Sequence, residues 1–259
     1  MTTVVKIGGA IIEDKAALDA FCRDFNLLRG RKLLVHGGGP MAGDLQRRLG
    51  MEPLKIEGRR VTDEDTLKVV TMVYAGWCNK LIVTTLQACG CNALGLAGCD
   101  ASCVTAAKRP PRTLSDGSTV VDYGFVGDVQ PSSIDAAFFR RLLEGGIVPV
   151  LCAINHDGRG QLLNTNADTV AGCLAAALGA RLVCCFDRPG VLADPGDPGS
   201  VIPRLDIASY GALKAAGAVS DGMLPKLENA FAALRQGACE VWIKSSSGLL
   251  RQNGTQICL

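Results

Sequence analysis

The stretch TTVVKIGGAII (residues 2–12) joins an apolar run to a lysine and two glycines. Thr2 to Ile7 has the composition of a buried strand, and Lys6 lies inside it. Gly8 and Gly9 would let backbone N–H groups approach an anion at the start of a helix, where the helix dipole favours negative charge. An ordinary tight turn explains the glycines as well. The stretch alone therefore predicts a core strand and leaves the purpose of its glycine end open.

A second glycine cluster follows a second apolar strand, in LVHGGGP (residues 34–40). If the two strands are parallel neighbours, their glycine turns share the carboxyl edge of a sheet, where open α/β sheets bind ligands. HGGG also occurs in the oxyanion turn of lipase-like hydrolases, but the G-x-S-x-G elbow that such enzymes need is absent. The P-loop and dinucleotide-binding glycine patterns are absent too. We interpret His36 as a structural residue at the strand end rather than a catalytic one.

Strand and helix patterns alternate along the 259 residues, which predicts an α/β fold with a mostly parallel sheet. A rim hairpin is expected within residues 108–130, where turn residues around DG separate β-branched runs. The expected strands cover residues 4–7, 32–36, 92–98, 147–154, 181–186 and 240–244. The expected helices cover residues 14–29, 40–50, 62–88, 132–144, 167–178, 206–216 and 222–236, with a capping-box-like start at Thr62 and a break near Gly76.

Composition favours a cytoplasmic enzyme with small-molecule substrates. The net charge is +2 without a basic stripe, which argues against a nucleic-acid partner. No apolar run reaches the roughly 18 residues that a membrane span requires, and the N-terminus lacks the pattern of a signal peptide. The twelve cysteines form no Cys-x-x-Cys pair and lie mostly in apolar segments, so we expect reduced packing residues and no metal site. A redox role stays open for the cluster from Cys89 to Cys103.

Three further stretches carry polar groups suited to anion chemistry. GRRVT (residues 58–62) offers arginines that could hold a carboxylate or simply be solvated. GQLLNTNADTVAG (160–172) places two asparagines and an aspartate at a strand-to-helix junction, where capping explains one of them. SDGMLPKLENAF (220–231) carries Lys226 on the polar side of an amphipathic helix, as an exposed lysine or a functional one.

Taken in order, these stretches resemble the amino acid kinase family, and within it the members that phosphorylate N-acetyl-L-glutamate. The resemblance covers nearly the whole chain, from VVKIGGAII and LVHGGGP through GRRVT, GFVGDV and GQLLNTNADTVAGCLAAALGA to SDGMLPKLENA and GTQI. It implies a three-layer αβα sandwich in two lobes, residues 1–179 for the acylglutamate and dimerisation and residues 180–259 for ATP.

The resemblance also implies a role for each matching residue. Lys6 and Lys226 would stabilise charge on the transferring phosphoryl group, and Asp168 would hold both lysines. The acylglutamate would lie against Gly38, Gly39, Arg60 (rather than Arg59) and Asn164. The nucleotide would lie against Gly8, Gly9, Asp187, Arg188, Pro189, Gly190, Val191, Leu192, Ala218, Val219 and Ser220.

The implied reaction is ATP-dependent phosphorylation of a γ-carboxylate in arginine biosynthesis, with Mg²⁺ held mainly by the nucleotide phosphates. The implied assembly is a homodimer without the arginine feedback of hexameric relatives. The acyl group stays open: a succinyl group would need one more cation, for which Lys108, Arg109 and Arg112 are candidates. Kinases of glutamate, aspartate, carbamate or UMP fit GRRVT and NTNAD less well. A non-catalytic regulator of the same fold is the alternative from another class.

Overall fold

An eight-stranded sheet forms the centre of the computed structural model, which describes residues 1–114, 116–215, 217, 223–251 and 253–259. The strands of this chain are β1 (Thr2–Ile7), β2 (Arg31–His36), β3 (Lys55–Ile56), β4 (Arg59–Arg60), β5 (Ala93–Leu96), β6 (Ala107–Lys108), β7 (Arg112–Thr113), β8 (Val120–Val121), β9 (Gly127–Asp128), β10 (Val148–Cys152), β11 (Ile154–His156), β12 (Leu162–Asn164), β13 (Arg181–Phe186), β14 (Arg204–Leu205), β15 (Glu240–Ser245) and β16 (Thr255–Ile257).

The sheet has the strand order β14-β16-β15-β13-β1-β2-β10-β5. All neighbours are parallel except β15 and β16, which run antiparallel. The strand β1 lies in the middle, pairing Lys6 with Cys184 on one side and with Val35 on the other. The glycine turns after β1 and β2 are therefore neighbours at one edge, as the sequence predicted for a parallel pair.

Helices cover both faces of this sheet, which confirms the expected α/β sandwich. They are α1 (Gly9–Glu13), α2 (Lys15–Leu27), α3 (Gly39–Arg48), α4 (Glu64–Thr71), α5 (Asn79–Ala88), α6 (Ala136–Glu144), α7 (Ala167–Leu178), α8 (Ile207–Ala215) and α9 (Leu224–Arg235). Alternate residues of β1 enter different layers, because successive side chains of a strand point to opposite faces. Val4 joins the apolar cluster of α7 and α9, whereas Val5 and Ile7 join that of α2 and α5.

Several predicted helix boundaries were wrong by a few residues. Thr62 does not cap α4; the side chain of Asp63 does, accepting a hydrogen bond from the Thr66 amide. The expected break near Gly76 is instead a π-helical segment, Met72–Cys78, that joins α4 to α5 without interruption. The predicted helix over 132–144 divides into a 3₁₀ turn, Pro131–Ser133, and the helix α6.

The rim hairpin was correctly predicted. Strands β7 and β8 pair around the DG turn, and β6 pairs with β9. The backbone of the hairpin is tied to the body of the protein, since the Phe125 amide donates to the Thr62 carbonyl and the Asn164 amide donates to the Phe125 carbonyl. This arrangement places the hairpin beside the carboxyl ends of the central strands.

One helical segment, Glu64–Ala88, is long and apolar enough to cross a membrane by length and composition. The sequence shows no uninterrupted apolar run in this segment, because charged residues and Gly76 lie within it. A core helix passes the same test, and here Leu67, Ile82 and Leu86 are buried while α5 packs against β5 and β10. We assign the segment to the protein core.

All twelve cysteines are free thiols, and eight of them are buried. Burial raises the pKa of the Cys152 thiol to about 12, so the thiol stays protonated. Burial and Asp100 also raise the pKa of the exposed Cys99, which disfavours the reactive thiolate. The eight buried cysteines thus pack as small apolar residues, as expected from the apolar segments that most cysteines occupy.

Candidate active site

A cleft of about 300 Å³ opens at the carboxyl edge of β1 and β2, where the glycine turns lie. Its walls come from eight parts of the chain that are distant from one another in sequence. The lining residues are Lys6, Ile7, Gly8, Gly9, Gly37, Gly38, Gly39, Lys55, Gly58, Arg59, Arg60, Tyr74, Arg109, Val126, Ala153, Asn164, Thr165, Asn166, Ala167 and Asp168.

Lys6 and Asp168 form an ion pair at this edge, with 2.8 Å between Nζ and Oδ1. Both side chains are largely buried, 8% and 16% exposed. An uncompensated lysine in a core strand would be costly, and the carboxylate removes most of that cost. The positive charge of Lys6 inside the apolar strand β1 is thus compensated by a carboxylate from α7.

The start of α7 fixes the position of Asp168. The side chain of Asn166 caps the helix, accepting hydrogen bonds from the amides of Asp168 at 2.8 Å and Thr169 at 3.1 Å. A carboxylate in the first helical turn is favoured by the helix dipole. Of the two asparagines and the aspartate in NTNAD, Asn166 therefore caps the helix, and Asn164 and Asp168 remain for other roles.

Helix α9 brings Lys226 towards the same point. It packs closely on α7 at Gly172, where a Cβ atom would lie 3.2 Å from that of Ala233. The hydroxyl of Thr169 also donates to Oδ1 of Asn229, at 2.9 Å. Lys226 is half-buried, so it is not the fully solvated lysine that the helix pattern alone allowed.

The ring of Phe186, at the end of β13, contacts both lysines. Nζ of Lys226 lies 4.1 Å from the ring centroid and Nζ of Lys6 lies 5.1 Å from it. Burial and the nearby Lys6 lower the pKa of Lys226, while Asp168 and Asp187 raise it. The structure therefore brings Lys6, Asp168 and Lys226 together around one aromatic ring, whose role the sequence did not indicate.

The two glycines after β1 differ in their surroundings. A Cβ atom on Gly8 would meet no other atom within 4 Å, so the space beside it is open. A Cβ atom on Gly9 would lie 2.6 Å from Cδ of Pro40, so that glycine is required by the close approach of α1 and α3. Only Gly8 thus leaves free room for a ligand to approach the backbone.

The second glycine turn is held by the π-helical segment. A Cβ atom on Gly38 would lie 2.8 Å from Cδ1 of Tyr74 and 2.9 Å from Sγ of Cys78. Tyr74 lines the cleft and is buried, and burial raises the pKa of its hydroxyl. The glycine is therefore required for packing. The sequence did not indicate Tyr74 as a cleft residue, because its contact with Gly38 joins two distant parts of the chain.

Arg60 lies under the cleft rather than on the surface. It is 9% exposed, its Nη1 donates to Oε1 of Gln46, and its Nη2 donates to the Gly39 carbonyl at 2.8 Å. Gln46 in turn donates to Oγ1 of Thr66 at 3.0 Å. These contacts orient the guanidinium, while no acidic side chain in the described part of the chain pairs with it.

Asn164, at the end of β12, is buried and also lines the cleft. Its amide Nδ2 donates to the hydroxyl of Thr62 at 3.1 Å. Thr62 follows Arg60 by two residues, so the arginine and the asparagine approach the cleft from connected segments. Sequence reasoning selected both residues but missed Thr62 as a link, having interpreted it as a helix cap.

The cleft wall carries an excess of positive charge. Five cations line it, Lys6, Lys55, Arg59, Arg60 and Arg109, against the single carboxylate of Asp168. Arg109 is engaged by Asp128, whereas Lys55 and Arg59 have no ion pair among the described residues. Burial and the neighbouring Arg109 and Arg112 lower the pKa of Arg59. Such a cleft is suited to a ligand with several negative charges.

Two of the three rim cations proposed from sequence lie outside the cleft lining. Lys108 lies over the ring of Phe125, 5.8 Å from its centroid. Arg112 pairs with Glu57 at 2.6 Å. Arg109 is the rim cation that does reach the cleft, and Arg59 lies close to it.

The predicted nucleotide segment falls into two parts. Asp187 and Arg188 are exposed after β13, and the charge of Asp187 acts on Lys226. Gly190, Val191 and Leu192 are buried, and a Cβ atom on Gly190 would lie 2.8 Å from Oγ1 of Thr255. Residues 187–192 are outside the cleft lining, and Ala218, Val219 and Ser220 lie outside the described residues. The nucleotide contacts therefore stay a prediction.

Comparison with known proteins agrees with this geometry. A model of the amino acid kinase family matches residues 1–245. The acetylglutamate kinase of Bacteroides thetaiotaomicron is 47% identical over 98% of this chain and 97% of its own length. That of Methanopyrus kandleri is 42% identical over 97% of this chain and 98% of its own.

Solved structures show the same fold at lower identity. An N-acetylglutamate synthase from Neisseria gonorrhoeae, solved with coenzyme A and N-acetyl-glutamate, superposes with a TM-score of 0.82 at 22% identity, over all of this chain and 59% of that one. Giardia carbamate kinase superposes with a TM-score of 0.69 at 14% identity, over 99% and 98% of the two chains. With a family model over nearly the whole chain and relatives of this similarity, the chain belongs to the amino acid kinase family.

Proposed function

We propose that the protein phosphorylates the γ-carboxylate of N-acetyl-L-glutamate with ATP, as a step of arginine biosynthesis. The observation that carries this is the convergence of Lys6, Asp168 and Lys226 beside two glycine turns. The curated relatives named acetylglutamate kinase, similar over nearly the full chain, support the choice of substrate.

The chemistry needs charge compensation rather than a base. A side-chain carboxyl group has a pKa of about 4.3, so the acceptor is already ionised at neutral pH. One of its oxygens forms a bond to the γ-phosphorus of ATP, and the bond from that phosphorus to the bridging oxygen breaks, which releases ADP. Since an anion attacks an anionic group, positioning and electrostatic stabilisation supply most of the catalysis.

The chain supplies that stabilisation from both sides of the phosphoryl group. Lys6 and Lys226 would face its oxygens, and Asp168 would keep Lys6 in place by the ion pair. The open space at Gly8 would admit the phosphates to the backbone. Mg²⁺ would be held by the nucleotide phosphates, where it neutralises part of their charge.

The acceptor would lie across the second glycine turn. Arg60 would bind its α-carboxylate as a bidentate donor, with Asn164 opposite and the backbone of Gly38 and Gly39 below. Residues 1–179 would thus hold the acceptor and residues 180–259 the nucleotide.

A second acceptor, N-succinyl-L-glutamate, is favoured by one specific observation. Arg59 lines the cleft close to Arg109 and has no ion pair among the described residues. A carboxylate at the end of the acyl group would compensate that charge. N-acetyl-L-glutamate offers no third anion for it.

An ADP-release assay with N-acetyl-, N-succinyl- and free L-glutamate tests the proposal. Turnover of an acylglutamate and none of free glutamate is expected, and the ratio of the two kcat/KM values identifies the acyl group. Absence of turnover with either acylglutamate would contradict the proposed activity. Binding of an acylglutamate by calorimetry without turnover would indicate the non-catalytic regulator instead.

A cytoplasmic homodimer completes the proposal. Twelve free thiols suit a reducing compartment. Met72 and Trp77 are 55% and 63% exposed on the π-helical segment, beside Met41 and Leu45, and would be covered by a second copy. Light scattering should give twice the chain mass of 27.1 kDa, and Trp77→Glu should reduce it to one chain. A monomeric mass for the native chain would contradict the dimer.

A further inference from the structure

A buried polar pair, His36 and Asn79, lies directly behind the second glycine turn and has no part in the chemistry above. His36 is the last residue of β2 and is 0% exposed, and Asn79 is the first residue of α5 and is 1% exposed. Polar side chains buried this deeply are costly unless their hydrogen bonds are satisfied. The hydrogen bonds of His36 and Asn79 therefore show which backbone groups the pair holds in place.

The hydrogen bonds assign one protonation state to His36. Its Nδ1 lies 2.7 Å from the Gly37 carbonyl, which can only accept, so Nδ1 carries the hydrogen. Its Nε2 lies 3.0 Å from Nδ2 of Asn79, which can only donate, so Nε2 is an acceptor. The other hydrogen of that amide goes to the Val150 carbonyl at 2.9 Å. The imidazole is therefore neutral and held in a single tautomer.

The pair acts on the backbone that lines the cleft. Because the peptide between Gly37 and Gly38 is planar, holding the Gly37 carbonyl also fixes the direction of the Gly38 N–H. The next residues of the turn are held from other sides, Gly38 by Tyr74 and the Gly39 carbonyl by Arg60. His36 supplies the clamp at the first residue of the turn.

Asn79 connects this clamp to two further elements. It follows the π-helical segment that carries Tyr74 and Cys78, and it bonds the backbone of β10 through Val150. π-Helical turns often occur at functional sites, where they shift a side chain out of its helical register. Here the continuous helix lies against Gly38 with Tyr74 and Cys78 and bonds His36 with Asn79.

We infer that His36 and Asn79 are positioning residues, which hold the Gly37–Gly39 turn in the conformation that binds the amino-acid acceptor. This assignment of their task rests on the proposed function, whereas the tautomer and its bonds do not. Burial, with a smaller effect of the charge on Lys80, lowers the pKa of His36 to about 4, although the hydrogen bond to the Gly37 carbonyl acts in the opposite direction. The neutral clamp is therefore stable across the physiological range.

Nitrogen-15 NMR of the histidine rings tests the clamp without any variant. The chain has two histidines, and a His156→Gln sample identifies the signals of His36. The expected result is a neutral ring with hydrogen on Nδ1 and no titration between roughly pH 5 and 8. Hydrogen on Nε2, or a titration near pH 6.5, would overturn the inference.

The variant Asn79→Asp tests whether the pair holds the Gly37–Gly39 turn for binding of the acceptor. A carboxylate at position 79 favours the protonated ring of His36, so at low pH the ring still bonds both the Gly37 carbonyl and residue 79. As the pH rises the ring loses a proton, and the bond to the Gly37 carbonyl is lost with it. KM for the acylglutamate should rise about tenfold between roughly pH 6 and 9, while KM for ATP stays within twofold. The native enzyme should show a flat KM over that range.

Asn26→Asp is the matched control. Its amide also donates to a backbone carbonyl, that of Cys89 at 2.6 Å, but it is not among the cleft-lining residues. Asn26→Asp should lower the free energy of unfolding and leave both KM values and their pH dependence unchanged. A KM in Asn79→Asp that does not change with pH, or an equal rise of both KM values, would overturn the positioning role. Absence of turnover in the native chain would instead overturn the proposed function, with the NMR result still standing.

Discussion

Lys6 and Asp168 come from the first strand and the seventh helix, yet their charged atoms lie 2.8 Å apart at the floor of one cleft. The chain contains a second Lys–Asp contact of the same length, Lys15 with Asp19, on the exposed surface of α2. The two pairs differ in burial and in what surrounds them. The exposed pair can therefore serve as a control when the contribution of the buried pair to kcat is measured.

Asp168→Asn should lower kcat by about two orders of magnitude, because Lys6 loses the carboxylate that is proposed to hold it towards the phosphoryl group. The fold should persist, since asparagine has the same shape and the cap by Asn166 uses backbone amides. Asp19→Asn removes the exposed pair and should leave kcat within twofold. Steady-state ADP release measures both, and equal effects of the two substitutions would contradict the assigned role.

Lys226→Ala should lower kcat by two to three orders of magnitude with little change in KM for the acylglutamate. In the proposed mechanism the lysine compensates charge that develops during transfer, so its loss should affect the transition state more than the bound substrate. Lys214→Ala, which removes an exposed lysine paired with Glu228, is the control. A parallel loss of acylglutamate binding would show that Lys226 holds the acceptor instead.

Arg60→Lys should raise KM for the acylglutamate by about ten- to a hundredfold, because an ammonium cannot replace a bidentate guanidinium. KM for ATP should stay near the native value. Arg59→Lys makes the same charge-conserving replacement at the neighbouring position and should have a smaller effect with N-acetyl-L-glutamate. If Arg59→Lys gave the larger rise, the α-carboxylate site would belong to Arg59.

The sequence predicted the regular framework well and the contacts between distant elements poorly. Residues 167–178 and 181–186 form the helix and the strand predicted, because their apolar patterns and the glycine between them are local signals. The lysines and Asp168 were selected by resemblance, and only the fold shows that they meet. Phe186 between the lysines, Tyr74 on Gly38 and the π-helical turn depend on packing across the sheet, so no local pattern indicates them.

Gly8→Ala should leave the melting temperature unchanged or slightly higher and lower kcat/KM for ATP by tenfold or more. Gly8 has φ −82°, which alanine adopts freely, and a Cβ atom there meets no protein atom within 4 Å. The methyl group would instead occupy the space proposed for the phosphates. Gly211→Ala, also free of contacts but on α8, should stabilise the protein by about 0.5–1 kcal/mol without a kinetic effect. Unchanged kinetics in Gly8→Ala would place the phosphates elsewhere.

Asp187→Asn should move the alkaline limb of the pH profile to lower pH. Burial and Lys6 lower the pKa of Lys226, and Asp187 is one of the groups that raise it. The proposed mechanism requires the ammonium form of Lys226, so activity should fall as the pH rises through this lowered pKa. Removing the carboxylate lowers the pKa further, and the loss of activity begins earlier.

The profile of kcat/KM for ATP at saturating acylglutamate reports the enzyme–acylglutamate complex before ATP binds, and a range of roughly pH 6 to 11 covers the limb. Asp197→Asn, in an exposed loop where its side chain accepts from the Gly199 amide, changes the net charge equally and should leave the limb in place. A limb that stays fixed or moves to higher pH in Asp187→Asn would show that Lys226 is not the group that titrates. The size of the shift, compared with this control, then measures how strongly the end of β13 supports the charge of Lys226.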